Sequence, residues 1–166
     1  MKNAMLMGLL TAGLCNFSLA DDSSPDAKTT TEQFGDWQLL CTQVAAQEQC
    51  RISQTLNNQQ GQTVSVLNVF QDANGSKIVE LALPLMVDLV ARPSIQVDEQ
   101  ESETYPYNLC NGQACFTLVH DEALIDAFKA GQAATVSFKP VSVSESVKIG
   151  YSLKGFSRAL QALDAK

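Results

Sequence analysis

Hydrophobic and polar positions alternate through most of the chain, which is the pattern of β-strands with one buried face. The clearest example surrounds the only tryptophan. Trp37, Leu39 and Cys41 recur at every second residue and would therefore point to one side of a strand. The segment 50–56 repeats this spacing with Cys50 at its start. The pattern predicts a first hairpin whose buried face carries a tryptophan beside two cysteines.

Turn residues separate further segments of this kind. Asn74-Gly75 is a strong hairpin signal between two alternating runs. The predicted strands are 36–43, 49–56, 63–71, 77–83, 94–98, 104–109, 116–119, 133–139 and 146–153. Helical spacing predicts two short helices, over 121–129 with Asp121 as its cap and Gly131 at its end, and over 155–163. The pattern predicts an all-β chain, a β-sandwich with one or two short helices at its edges.

The first twenty residues have the features of a secretory signal peptide. Lys2 gives a positive start, and the apolar run 4–14 has only about half the length that spans a bilayer. Ser18 and Ala20 are small residues at the expected positions before a cleavage site. Lipidation of Cys15 is disfavoured because a leucine, not a small residue, precedes it. We expect cleavage after Ala20 and export, with no transmembrane segment in the mature chain.

The mature part is predicted to begin with a disordered polar linker, 21–33, because this segment has no apolar periodicity. A single domain is expected over 34–166. Without Lys2 the chain has ten basic and eighteen acidic residues, a net charge of −8. This acidity disfavours nucleic acid and anionic membranes as partners.

Four cysteines remain after cleavage, in a compartment where disulfides persist. Four cysteines allow three pairings. The local pairs, Cys41 with Cys50 and Cys110 with Cys115, are favoured. Each closes a short loop, so each would stabilise the fold by about 2–3 kcal/mol.

Catalysis is not expected. His120 is the only histidine, and a small periplasmic hydrolase that uses it is the alternative to a binding protein. The chain has no Gly-x-Ser-x-Gly motif, however, and a single histidine does not make a zinc site. The acidic group 98–103 and the stretch 72–76 are interpreted as turns rather than calcium loops, because the twelfth-position glutamate is missing. No cofactor or metal is expected.

Binding of a protein or envelope component is the favoured function. The connector after the 77–83 strand is unusually apolar, and two tyrosines flank a proline further on. Such side chains either fill the core or form an exposed contact surface. The candidate partner surface consists of Leu85, Met86, Val87, Leu89, Tyr105 and Tyr107.

Four pieces of the chain, taken in order, resemble the invasion-associated locus B family of exported bacterial proteins. They are Phe34-Gly35-Asp36-Trp37 with Cys41 and Cys50, Leu83-Pro84-Leu85 with Val87 and Leu89, the pair Cys110 and Cys115, and Ser152-Leu153-Lys154-Gly155-Phe156 with Ala159 and Leu160. The similar stretch extends from about Phe34 to Leu163. The family often has glycine where this chain has Met86, which affects the expected shape of that turn.

The resemblance implies a single immunoglobulin-like β-sandwich in the periplasm or outer envelope of a Gram-negative bacterium. The family takes its name from a locus linked to the entry of a pathogen into red blood cells. The resemblance provides no catalytic residue to transfer. Together with the signal peptide, the paired cysteines and the lack of a catalytic motif, it favours a non-enzymatic envelope protein that binds a protein or envelope component. A contribution to host-cell interaction is a further hypothesis, because family membership alone does not establish it.

Overall fold

A computed structural model describes residues 28–44 and 46–166. Within these ranges the chain forms eleven strands and two helices. The expected signal peptide and the first part of the expected linker lie outside the described residues. The strands are β1 (Thr29–Phe34), β2 (Trp37–Val44), β3 (Gln47–Asn57), β4 (Thr63–Gln71), β5 (Lys77–Leu83), β6 (Ser94–Val97), β7 (Glu103–Thr104), β8 (Leu109–Cys110), β9 (Cys115–Val119), β10 (Ala133–Phe138) and β11 (Val147–Ser152); the helices are α1 (Glu122–Ala130) and α2 (Phe156–Asp164).

The strands form two antiparallel sheets. The larger sheet has seven strands in the order β1-β2-β3-β4-β5-β9-β8, so its first five strands are a simple meander. The smaller sheet has four strands in the order β11-β10-β6-β7. Both contribute side chains to one apolar core, which confirms the predicted β-sandwich with two short helices.

The core is built from rows of side chains that cross the strands. One row of the larger sheet runs through five neighbouring strands, and all of its members are buried: Leu39, Ile52, Val69, Val79 and Val119. Ile95 and Val136 occupy neighbouring positions in the smaller sheet and are equally buried. The alternation seen in the sequence therefore marks the inner faces of the two sheets.

The single tryptophan lies where the sheets and helices meet. Its side chain is fully buried, and its ring contacts Phe156 of α2 edge-on at a centroid distance of 5.0 Å. The Trp37 Nε1 donates a hydrogen bond of 2.9 Å to the backbone oxygen of Ser152 in the other sheet. Gln54 Nε2 donates to the same oxygen at 2.8 Å. The predicted first hairpin is thus joined to both the second sheet and a helix.

Both predicted disulfides are present. Cys41–Cys50 joins residues that face each other in β2 and β3, and Cys110–Cys115 joins facing residues of β8 and β9. Each disulfide therefore fixes one pair of neighbouring antiparallel strands, as the short loops suggested.

Two sequence predictions are wrong. Thr29–Phe34 form strand β1, so the prediction of a disordered linker over 21–33 is wrong for residues 29–33. This strand pairs with β2 at the edge of the larger sheet and is almost wholly exposed, so it needs no apolar alternation.

The predicted strand over 104–109 is interrupted between β7 and β8. Pro106 has no N–H to donate within it, and the Tyr105 N–H bonds instead to the Pro93 carbonyl.

Replacement of Trp37 tests the importance of the junction. We expect Trp37→Ala to lower the free energy of unfolding by about 3–5 kcal/mol, because it leaves a large cavity and removes one of the two side-chain donors to the Ser152 oxygen. Urea unfolding followed by circular dichroism measures the change. A loss below about 1 kcal/mol would contradict the burial of the ring.

A glycine pair provides a matched test of the turn before α2. Gly155 has a φ of 95°, and a Cβ there would overlap the Phe34 carbonyl oxygen. A Cβ at Gly150 would meet open space. We expect Gly155→Ala to destabilise the protein by more than about 2 kcal/mol and Gly150→Ala to change stability by less than about 0.5 kcal/mol. Equal thermal midpoints for the two variants would refute this account.

Candidate functional site

The connector after β5 divides its apolar side chains between core and surface. Val87 is only 6% exposed and forms an isolated antiparallel bridge with Pro140. Its neighbours point outward instead, with Met86 73% exposed and Val90 90% exposed. Val87 therefore anchors the connector, and the residues around it remain accessible.

A second loop lies beside this connector. The Val141 N–H donates to the Met86 carbonyl oxygen at 2.8 Å, and the Asp88 N–H donates to the Lys139 carbonyl oxygen at 2.7 Å. The two loops together carry six exposed large apolar side chains, which we call the apolar loop surface: Leu85, Met86, Leu89, Val90, Val141 and Val143. Exposed apolar side chains grouped on adjacent loops make this surface the candidate contact site.

Met86 adopts a backbone conformation that is rare for its residue type. Its φ is 65°, in the left-handed region that favours glycine. A non-glycine residue in this region costs of the order of 1–2 kcal/mol. The residue in this strained conformation carries a long, flexible apolar side chain that is 73% exposed.

Asp88 holds the connector in shape. Its Oδ1 accepts hydrogen bonds from the backbone N–H groups of Val90 and Ala91, and its Oδ2 lies 3.3 Å from Lys139 Nζ. Hydrogen bonds to the Ala91 and Val90 N–H groups and to Lys139 stabilise the carboxylate and lower the pKa of Asp88. The loop is therefore ordered by polar contacts beneath its exposed apolar residues.

The two tyrosines proposed for the same surface are not among its exposed side chains. Tyr105 and Tyr107 are half-buried and pack against the core. Burial is the main cause that raises the pKa of each tyrosine to about 12. The negative charges of Asp121 and Glu103 also help to raise the pKa of Tyr105, and that of Asp88 helps to raise the pKa of Tyr107. The structure thus brings Leu85, Met86 and Leu89 together, whereas Val87 and the two tyrosines serve packing.

The histidine considered for catalysis is exposed at the junction between β9 and α1. Within residues 28–44 and 46–166, the structure gives the His120 imidazole no hydrogen bond or ion pair. Its charge contributes only weakly to the lowered pKa of Asp72, which arises first from the Asn74 and Ser76 N–H groups. No serine hydroxyl and carboxylate in these ranges are bonded to it in the order that a catalytic triad requires.

In each acidic stretch considered for calcium, one carboxylate accepts hydrogen bonds from backbone N–H groups. Asp72 accepts from the N–H groups of Asn74 and Ser76 in the predicted hairpin turn. Asp98 accepts from the N–H groups of Gln132 and Ala133. Both carboxylates therefore fix turns of the fold. Glu48 also lies close to Cys41 and Cys50, but the two sulfur atoms are bonded to each other.

Comparison with known proteins gives the family. The fold defines a disulfide-bonded β-sandwich with an apolar loop surface at one end. The sequence model of the family "Invasion associated locus B (IalB) protein" matches residues 37–164. The chain belongs to this family, as the resemblance had suggested.

Individual relatives agree with this assignment. Two proteins named "Invasion protein B homolog", from Brucella abortus strain 2308 and from Brucella abortus biovar 1 strain 9-941, are each 29% identical to the chain over 170 residues. Each alignment covers 99% of this chain and 98% of the relative. The crystal structure of invasion associated protein B from Bartonella henselae superposes with a TM-score of 0.72 at 24% identity, covering 82% of this chain and 95% of that one. The latter similarity establishes the shared fold.

Two observations are consistent with the export expected from the sequence. Both disulfides are formed, and the relatives are invasion proteins by name. Among the described residues, none of the helices is both long and apolar enough to cross a membrane.

Sequence reasoning missed half of the apolar loop surface. The predicted partner surface does not include Val90, although this residue lies in the apolar connector. It does not include Val141 or Val143 either. The signal was present, because Pro140-Val141-Ser142-Val143 places two valines in a loop outside any strand. What the sequence did not reveal was that this loop lies against the connector.

Substitution of Met86 measures how much its backbone strain lowers the free energy of unfolding. We expect Met86→Gly to leave the free energy of unfolding unchanged or to raise it by up to about 1 kcal/mol, because glycine removes the strain at positive φ but adds entropy to the unfolded chain. Chemical denaturation measures it, with Met86→Ala as the control that retains the strain. A loss greater than about 1 kcal/mol on Met86→Gly would show that the side chain stabilises the fold.

Tyrosine titration tests the burial of all three phenols. The chain has three tyrosines, and burial raises the pKa of Tyr151 as well as those of Tyr105 and Tyr107 above the ordinary value of 10.0. Folding favours the neutral phenol, so the stability they contribute is complete below pH 10 and is lost as pH rises through the folded values. Tyrosinate absorbance should rise near pH 10 in urea but only near pH 12 or above in the native protein. Coincident native and unfolded curves would contradict this.

Proposed function

We propose that the chain is an exported, non-enzymatic envelope protein that binds a protein partner through the apolar loop surface and so contributes to host-cell interaction. The observation that carries this proposal is the set of six exposed apolar side chains on two hydrogen-bonded loops. Burial of apolar area is the main favourable term in protein association, and a few central side chains dominate it.

The order of the loops supports a binding role. The connector is held by the Val87–Pro140 bridge, by the two backbone hydrogen bonds and by the Asp88–Lys139 ion pair. A surface that is already ordered loses less conformational entropy on binding. The strained conformation of Met86 adds to this argument, because strained residues cluster at functional sites.

A non-enzymatic role is supported by the surroundings of His120 in the described part of the chain. The side chain is exposed and lacks the bonded partners that would orient it as a general base. The relatives are called invasion proteins, which we extend to this chain as a role in host contact.

Export is supported by the signal-peptide pattern of the first twenty residues and by the two disulfides. Disulfides form and persist in the periplasm and outside the cell. We place the mature protein, cleaved near Ala20, in the periplasm or outer envelope.

A matched pair of valine variants tests the surface. Val90 is 90% exposed in the apolar loop surface, and Val44 is 51% exposed at the β2–β3 hairpin, at the opposite end of the larger sheet. We expect Val90→Asp to reduce the capture of a cross-linked envelope or host-cell protein at least about tenfold, because a charge would be buried in the interface. Val44→Asp should leave the capture unchanged.

Mass spectrometry of the cross-linked product measures the capture, and thermal unfolding confirms that both variants are folded. Equal capture by wild type and Val90→Asp would contradict the proposed surface. Turnover of a substrate that His120→Ala abolishes would contradict the non-enzymatic role.

A further inference from the structure

A polar groove lies on the larger sheet, away from the apolar loop surface. It has a volume of about 720 Å³, within the range of sites for small ligands. Its walls come from β3, β4 and β5, from the turn after β4 and from the end of α2. The apolar loop surface follows the opposite end of β5, so the two sites are separate.

Asn68 is the feature of this groove that requires an explanation. The residue is only 8% exposed, and its Nδ2 donates a hydrogen bond of 2.8 Å to Glu80 Oε1. Its Oδ1 is buried and accepts no hydrogen bond from any residue in the described ranges. A buried acceptor without a donor costs about 1–3 kcal/mol. A ligand that supplies an N–H or O–H group would remove this cost.

The register of the sheet places complementary groups on the same face as Asn68. Arg51 lies opposite Phe70 across β3 and β4, and Asn68 lies opposite Glu80 across β4 and β5. Phe70 and Asn68 are two residues apart and so point to the same face. In the described part of the chain no ion pair or hydrogen bond occupies the Arg51 guanidinium, so its donors are available. The half-buried Phe70 contributes an apolar wall.

The charges of the groove indicate what kind of ligand fits. Three acids, Glu48, Asp72 and Glu80, line it together with Arg51 and Lys166. The charges nearly balance, and Glu48 and Lys166 lie 3.9 Å apart. An anion would meet the three carboxylates and a cation would meet the two basic groups. A neutral ligand with several hydroxyl groups can use donors and acceptors alike.

We propose that this groove binds a neutral oligosaccharide. A sugar hydroxyl donates to Asn68 Oδ1, and a second hydroxyl donates to the Glu80 carboxylate. Arg51 donates to sugar oxygens, and Phe70 packs against the apolar face of a sugar ring. The proposal is independent of the protein-binding surface, because no residue is shared between the two sites.

Titration with two neutral trisaccharides, maltotriose and N,N′,N″-triacetylchitotriose, tests the proposal. Amide resonances of the isotope-labelled mature protein are followed by NMR up to millimolar sugar. We expect saturable shifts at the groove residues with at least one of the two sugars. Asn68→Ala should weaken that binding about tenfold, the equivalent of one lost hydrogen bond.

Two further variants separate binding from folding. Arg51→Ala removes an exposed side chain that has no hydrogen-bond or ion-pair partner among residues 28–44 and 46–166, so it should weaken sugar binding without changing the thermal midpoint. Gln59→Ala, in the exposed turn after β3, is the matched control and should bind as wild type does. Absence of shifts with both sugars would overturn the proposal. So would wild-type binding by both Asn68→Ala and Arg51→Ala, or tighter binding of the charged sialyllactose than of either neutral sugar.

Discussion

The backbone carbonyl of Ser152 accepts two of the hydrogen bonds that join the two sheets. It lies at the end of β11 and accepts from the indole of Trp37 and the amide of Gln54, two side chains of the larger sheet. The Ser152 N–H in turn donates to Gln54 Oε1 at 2.9 Å. Apolar burial is not directional, so it cannot fix how one sheet lies on the other. These three bonds can, because a displacement would leave partly buried polar groups without partners.

Much of the rest of the structure follows from that junction. The chain continues from Ser152 into the turn at Gly155, which fits against the Phe34 carbonyl, and then into α2. The end of α2 forms one wall of the polar groove. In the other direction, β11 is preceded by the 140–143 loop, which carries part of the apolar loop surface. Each candidate site therefore includes one segment whose position depends on how β11 is attached to the larger sheet.

The sequence predicted those features that depend on neighbours along the chain. The strands 63–71 and 77–83 were found with their observed bounds, because Asn74-Gly75 fixes the turn between two alternating runs. Asp121 caps α1 as predicted, and its side chain accepts from the Ala123 N–H. Strand β1 was missed because an exposed edge strand needs no hydrophobic pattern. The loop at 140–143 and the groove around Asn68 were missed for another reason, since they arise from contacts between segments distant in sequence.

The two disulfides join cysteines that are consecutive among the four in the described part of the chain: the first pairs with the second, and the third with the fourth. A chain that crosses a membrane from its N-terminus presents its thiols in that same order. An oxidant that joins each emerging pair at once therefore forms the native bonds directly, without passing through either of the two other pairings. Oxidation of these thiols in chain order therefore needs no later exchange of mispaired bonds.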